Sequence, residues 1–315
     1  MLSRVADSLY WMARYLERAE HTTRLLDANI QLMLEQKPQA VDRQLRRINL
    51  SLGEPLRLEG KLSVPALEHA LIFDSRVNAS IISSISLARE NARQVREQIT
   101  SEMWSELNSL YHFVKRYDAE DLEQDLPLDF LNEVRRKISL FRGETDATMN
   151  HGEEWWFLQI GIYLERTVNT ATMLKVHSAE LCGEADIEHL ELLSLLRSCN
   201  AFEAYLKKFT AEFTAENIVE FLLLNPEHPH SILFGVQRIA DSIAALPGLR
   251  LRNPRTRVDR LAGRLVATLS YSSVEEVMTA GLRPALENII RQCAQIHTAI
   301  HHAYIDYPIE SSLPA

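Results

Sequence analysis

The stretch Leu9 to Asp27, LYWMARYLERAEHTTRLLD, carries two stripes at helical spacing. Leu2, Val5, Leu9, Met12, Leu16, Ala19, Thr23, Leu26 and Ile30 recur at alternating intervals of three and four, which places them on one face of an amphipathic helix that must be buried. Arg14, Glu17, His21 and Arg24 keep the same spacing on another side, with Arg18 and Glu20 beside them. Exposed acid–base pairs one turn apart contribute only about 0.2–0.5 kcal/mol each, so the plain reading of this second stripe is a solvated face.

Outward from this helix the same period recurs and strand signals are nearly absent, because glycine is scarce and β-branched residues rarely alternate with polar ones. The sequence reads as an all-α helical bundle. The opening helix runs to about Glu35, Pro38 ends its pattern, and Gly53, Pro55, Gly60 and Pro65 break the chain into a connector with short helical pieces. A long helical segment follows from about Asn78 to Thr100, with Ile81, Ile85, Ala88, Ala92, Val95 and Ile99 facing inward. Ser101 is placed to cap the next helix, and the acidic run Asp118 to Pro127 reads as a solvated connector. Leu128 to Phe141 is amphipathic, and RGETDATMNHGEEWW after it is the most irregular stretch mid-chain.

From Trp155 the opening pattern returns. Phe157, Ile160, Leu164, Thr167, Ala171 and Leu174 match Leu9, Met12, Leu16, Ala19, Thr23 and Leu26 one for one, and Tyr15-Leu16-Glu17-Arg18 is repeated as Tyr163-Leu164-Glu165-Arg166. Ser80-Ile81 with Ile85 is echoed by Ser231-Ile232 with Val236 at nearly the same offset. We read two divergent repeated halves, 1–150 and 151–315, forming one continuous body. Helices are expected over Ile187 to Phe213, Thr214 to Leu224, His230 to Ala245 and Arg255 to Leu269; Ser272 with Glu275 has capping-box spacing; a last helix starts after Gly281; and the tail from Pro308 frays.

With 315 residues, 46% hydrophobic and 24% charged, and no apolar run approaching the roughly 20 residues of a membrane span, the composition is that of a soluble protein. Arg4, Asp7 and Arg14 interrupt the apolar periodicity of the N-terminus, unlike an export signal, and a cytoplasmic location is expected. Three scattered cysteines suit free thiols in a reducing compartment. A net charge of −9 argues against gripping nucleic acid, and the basic stretch Arg252 to Arg264 reads as a wet helix face.

Signatures of chemistry are sparse. No phosphate-cradling glycine loop, nucleophile elbow or paired-cysteine metal site is present, and no cofactor is implied. His297, His301 and His302 are the best metal suspects but lack an internal glutamate, Glu17 with His21 makes half of a ligand set that Asn169 fails to complete, and His228 and His230 fit a turn; no metal is assigned. LARENARQVRE, Leu87 to Glu97, is richer, with a basic stripe of Arg89, Arg93 and Arg96 whose plain reading is a solvated helix; should it face Arg14, Glu17 and Arg18 across a groove, its guanidiniums would clamp a carboxylate or phosphate.

RYLERAE, LARENARQVRE, WSELN at Trp104 to Asn108, and GETDATM followed by a tryptophan-rich second YLER together resemble the alpha-E domain family, in order and over nearly the whole chain. The resemblance implies an all-helical bacterial protein acting beside a circularly permuted ATP-grasp ligase and a transglutaminase-like peptidase. The family-like polar positions are Arg14, Glu17, Arg18, Glu20, Arg89, Glu90, Asn91, Arg93, Asp146, Glu165 and Arg166; Ile162 and Val168 stand in the second copy where the first has Arg14 and Glu20. Three functions follow as expectations. The first is an accessory subunit binding a partner, peptide or acidic ligand through the charged seam. The second is an enzyme of amide chemistry with Glu17 or Glu165 as base, which adjacent arginines disfavour by lowering the carboxyl pKa. The third is a set of buried ion pairs locking the halves in register, which loss of one partner would destabilise by roughly 3–5 kcal/mol.

Overall fold

The computed structural model of the chain describes residues 1–34, 36–56, 62–117, 127–183, 189–210, 212–246 and 257–305. These form fifteen α-helices and no strand: α1 (Ser3–Leu34), α2 (Pro38–Ser51), α3 (Val64–Ile72), α4 (Ile81–Gln94), α5 (Ser101–Arg116), α6 (Leu128–Thr148), α7 (Glu153–Val176), α8 (Ser178–Leu181), α9 (His189–Ser198), α10 (Phe202–Phe209), α11 (Ala215–Val219), α12 (Ile232–Ala245), α13 (Arg257–Ser270), α14 (Val274–Ala280) and α15 (Leu282–Ile300). Single π-helical turns extend α11 through Glu220–Leu224 and α15 through His301–Ile305.

α1 is the centre of the bundle. Every member of its apolar stripe from Val5 to Ile30 is buried, while Leu2 at its start is exposed. It packs on α4, α6, α7 and α9, so its polar side faces protein too, which excludes the solvated face. The matching stripe of α7, from Phe157 to Leu174, is likewise buried.

α4 runs antiparallel to α1: Ser8 Oγ donates to Gln94 Oε1 at one end, and Thr22 Oγ1 donates to the Ala79 carbonyl, 2.8 Å, at the other. α12 runs antiparallel to α7 in the same way, with Thr170 Oγ1 donating to the His230 carbonyl at 3.0 Å. Each acceptor directly precedes a helix-capping serine, Ser80 for α4 and Ser231 for α12, whose hydroxyl takes a backbone N–H of the first turn.

α1 and α7 run in the same direction and approach closely, because Gly161 carries no side chain. A Cβ there would lie 2.5 Å from the Tyr10 carbonyl oxygen and 3.0 Å from Ala13 Cβ. Gly235 does the same for α12 on α7, where a Cβ would meet Thr167 Oγ1 at 2.3 Å.

Several local expectations are corrected. The stretch after Pro38 is a regular helix, with proline in its first turn, where the missing N–H costs nothing. Thr100, not Ser101, caps α5, and the capping box is Ser273 with Glu276, one residue beyond the expected pair. The RGETDAT stretch is the last part of α6, whose periodicity tolerates Gly143 on an exposed side. The expected helix from Ile187 to Phe213 is broken after Ser198, where Asn200 adopts φ 51 and turns the chain into α10. The long segment from Asn78 to Thr100 is helical from Ile81 to Gln94, and its inward residues through Ile99 are buried as the spacing requires. The acidic run at 118–126, part of the basic stretch, and the tail from 306 fall outside the described residues.

Gly161→Val should therefore force α1 and α7 apart, and chemical denaturation should show a loss of about 1–3 kcal/mol. Gly143→Ala, at an exposed helical position with nothing within 4 Å of the new Cβ, should leave stability unchanged or raise it by about 0.5–1 kcal/mol. Equal effects at the two glycines would contradict the close crossing.

Candidate functional site

Close approach of α1 and α7 brings the two Glu-Arg dipeptides face to face, and they exchange partners. Arg166 of α7 forks onto Glu17 of α1, Nε to Oε1 at 2.7 Å and Nη2 to Oε2 at 2.9 Å. Arg18 of α1 reaches back to Glu165 of α7, Nε to Oε1 at 2.8 Å. Arg14 takes the other oxygen of Glu165 at 2.7 Å. Glu17 and Glu165 are 3% and 5% exposed, so both carboxylates are closed off from solvent.

Arg142 of α6 adds a third element. Its terminal nitrogens meet Glu17 Oε2 and Glu20 Oε2, and Arg24 forks onto Glu20 Oε1 through Nε and Nη2 at 2.9 and 2.6 Å. Arg24 also donates to Asn200 Oδ1, 3.0 Å, which explains why a non-glycine residue holds the left-handed turn between α9 and α10. Arg166 Nη1 donates to the Pro229 carbonyl, 3.3 Å, tying in the loop before α12. On the far side Arg14 Nη1 donates to the buried Tyr10 hydroxyl at 3.1 Å, and that hydroxyl is 2.7 Å from His297 Nδ1 on α15. Arg14 Nη1 also lies 3.4 Å from His297 Nδ1, and because a guanidinium can only donate, that nitrogen is an acceptor and the Tyr10 hydroxyl donates to it.

The electrostatics follow from burial and an imbalance of charge. Burial alone would raise the carboxyl of Glu20, but Arg142, Arg24 and Arg166 outweigh it and hold the pKa down at about 2. Glu165 is lowered in the same way, burial being overcome by Arg14 and Arg18. His297 and His228 are each lowered to about 4, first by burial and then by Arg14 and Arg166 respectively; His230 is pushed well below the usual range by burial and by Arg166, Arg24 and Arg142. The cluster sets the guanidiniums of Arg14, Arg18, Arg24, Arg142 and Arg166 against only the carboxylates of Glu17, Glu20 and Glu165. Positive charge is in excess by two.

Of the expected polar positions, α1 and α7 bring together Arg14, Glu17, Arg18, Glu20, Glu165 and Arg166. The others lie elsewhere. Arg89 faces α5, donating to Asn108 Oδ1 at 2.7 Å with its guanidinium 4.5 Å from the Tyr111 ring centre. Glu90 and Arg93 form an exposed pair at 2.7 Å, and Asn91 bonds back to the Leu87 carbonyl. The conditional clamp between LARENARQVRE and the opening stripe is thus not formed, because Arg89 points to the α5 side of α4. Asp146 stands exposed, 3.8 Å from His151. Sequence reasoning missed Arg142 and Tyr10 and weighed His297 only as a metal suspect, not as a partner of Tyr10; nothing local to FRGETD signals that Arg142 will meet Glu17. It also missed a second buried pairing, in which Arg47 of α2 joins Glu180 and Glu191, each at 2.5 Å. No group of three metal-ligating side chains occurs among the described residues. Cys199 and Cys293 are buried free thiols, whereas Cys182 is exposed.

Two clefts flank the pairs. One of about 590 Å³ is lined by Arg24, Asp27, Arg135 and Arg197; Arg135 pairs with Asp27 at 2.5 Å, Arg24 with Glu20, and Arg197 lies over the Phe202 ring at 5.1 Å. The other, of about 490 Å³, opens between α1, α6, α7 and α12, with Trp155, Trp156 and Tyr163 as walls and Arg142 and Arg166 at its base.

Fold and site define an all-helical protein closed by crossed Glu-Arg pairs. The chain belongs to the Alpha-E family, described as a predicted alpha-helical domain with a conserved ER motif, which matches residues 1–305. Glu17-Arg18 and Glu165-Arg166, whose side chains make the crossed pairs, are the chain's two Glu-Arg dipeptides. Uncharacterized proteins of Mycobacterium bovis and Mycobacterium tuberculosis are each 24% identical to it over 94% of this chain. The chain spans 35% of the length of those relatives. No solved structure matches it. No helix among the described residues is long and apolar enough to cross a membrane.

Glu17→Ala should strand Arg166, leave Arg142 with Glu20 alone, and lower stability by roughly 3–5 kcal/mol in denaturant titration, whereas Glu90→Ala, removing an exposed carboxylate, should leave the unfolding midpoint in place. Comparable shifts would remove the lock from Glu17. Acid should also unfold the chain in two stages. His297 and His228 are depressed from 6.5 to about 4, so the unfolded chain binds more protons between those values; their contribution is full above pH 6.5 and is lost as pH falls through about 4. Glu20, depressed from 4.5 to about 2, loses its contribution between those values. Melting temperature followed against pH should fall from about 6.5 downward, and His297→Phe should flatten the upper part of that fall.

Proposed function

We propose that the chain is an accessory binding module of a bacterial amide-ligase or peptide-modification system, acting in the cytoplasm beside an ATP-grasp ligase and a transglutaminase-like peptidase. The observation that carries this reading is that both motif glutamates are already satisfied: each is buried, Glu17 is forked by Arg166, and Glu165 is bonded at one oxygen by Arg14 and at the other by Arg18, which hold it ionised. A general base must be able to reach a substrate proton and accept it, and a carboxylate with both oxygens bonded to guanidiniums is poorly suited to either. The Glu-Arg motif then serves to hold α1 on α7, and binding belongs to the surfaces that this lock shapes.

Two further observations support a module. The mycobacterial relatives carry this region as part of a much longer chain, as a unit that works beside other units would be carried. The paired hydrogen bonds of Thr22 to Ala79 and Thr170 to His230, each just before a serine cap, support descent of the two halves from one ancestral helix pair.

Co-expression with an ATP-grasp ligase of the kind the family resemblance implies should yield a complex that survives purification, and the chain alone should leave ATP, glutamate and peptides unchanged. A folded chain that retains no ligase and turns over one of these substrates unaided would overturn the reading.

A further inference from the structure

The cleft of about 490 Å³ has a composition that the lock does not require. Its lining includes Phe141 and the half-buried rings of Trp155, Trp156 and Tyr163; of its three arginines Arg238 is exposed, while Arg142 and Arg166 are the more buried and form its base. That volume falls in the range of small-ligand sites, which are typically apolar cavities with a few fixed polar groups. Aromatic walls select a flat or branched apolar body. The base selects charge.

Three features point to a carboxylate. The ion-pair cluster carries two guanidiniums more than carboxylates, and two of the five, Arg142 and Arg166, reach this cleft. Arg142 uses its terminal nitrogens on Glu17 and Glu20, while its Nε donates to no acceptor among the described residues; its side chain is 26% exposed, so one edge of the guanidinium remains open to a planar acceptor. The acids that also line the cleft, Asp146 and Asp241, are exposed at its rim, where water screens them, whereas Arg142 and Arg166 lie deeper and are screened less. The rim acids in turn suit a ligand whose outer end carries an amine or amide N–H.

We propose that this cleft binds an apolar or aromatic amino-acid residue bearing a free α-carboxylate, its side chain between Trp155, Trp156 and Tyr163 and its carboxylate on Arg142. The source is either a free amino acid or the C-terminal residue of a peptide. The proposal deepens the binding-module reading and rests on it: the module would hold this residue for the chemistry of its partner.

Calorimetry on the chain alone, with no ligase present, tests it. N-acetyl-phenylalanine should bind about tenfold or more tightly than N-acetyl-phenylalaninamide, which lacks the charge, and than N-acetyl-glycine, which lacks the ring, a difference of about 1.4 kcal/mol. Free phenylalanine and a short peptide ending in phenylalanine separate the two sources, tighter binding of one identifying it. Trp156→Ala should weaken binding at least about tenfold with the melting temperature kept. Arg142→Lys should cost more for the acid than for the amide, and because Arg142 also holds Glu17 and Glu20, its folding is to be checked by circular dichroism. Equal binding of acid and amide, no saturation by about 10 mM of any probe, or full binding by a folded Trp156→Ala chain would overturn the proposal. A chain that binds none of these probes yet still retains the ligase would sink the cleft and leave the module standing; a chain that binds the acid but no ligase would do the reverse.

Discussion

The crossed exchange between Glu17-Arg18 and Glu165-Arg166 is the constraint on which the rest of the structure depends. Burying a carboxylate or a guanidinium removes several kcal/mol of hydration from each, and only good geometry offsets that loss. Here the geometry is a fork onto Glu17 and a two-sided grip on Glu165, at 2.7–2.9 Å throughout. Such pairs add little net stability against an apolar core. They are sensitive to register, however: sliding α7 along α1 by one turn, about 5.4 Å, would leave buried charges without partners. Apolar stripes tolerate such a slide far better, so the ion pairs fix which residues of the two central helices meet.

The exchange also depends on features that carry no charge. Gly161 lets the two backbones approach, which sets the separation at which an arginine of one helix spans to a glutamate of the other. Neighbouring elements then complete the polar groups that would be costly to leave bare: Arg142 from α6, the Pro229 carbonyl from the loop before α12, Asn200 from the turn after α9, and Tyr10 with His297. One polar cluster thus ties α1 to four other parts of the bundle. Burial first, and then its guanidiniums, lower the pKa of the adjacent His230 and His297, and two of its arginines, Arg142 and Arg166, also line a cleft that holds Trp155, Trp156 and Tyr163.

How far the site was legible depends on whether a residue's partner lay on the same helix. Periodicity placed the apolar stripes of α1, α4 and α7 correctly because burial acts on each helix separately, and the recurrence of Tyr-Leu-Glu-Arg marked the residues that matter most. The assumption that the charged stripe was solvated failed, since i, i+4 spacing describes an exposed and a buried helix equally well. Arg89 was expected to face that stripe if it faced a site at all, but α4 turns it toward Trp104 and Tyr111 of α5. The break at Asn200 was invisible because asparagine enters the left-handed conformation without the glycine that usually announces it, and the side chain that holds its amide, Arg24, is distant in sequence.

The sequence by itself determined an all-helical chain, the faces its long helices bury, and the two Glu-Arg dipeptides at its centre, because helix period and residue chemistry are local properties. Tertiary structure alone decided that these dipeptides answer each other, that Arg142 joins them, and that a cleft opens beside Trp155 and Trp156. Those outcomes depend on how closely and in what register helices from distant parts of the chain cross. A pairing energy between residues far apart in sequence leaves no periodic trace in either segment.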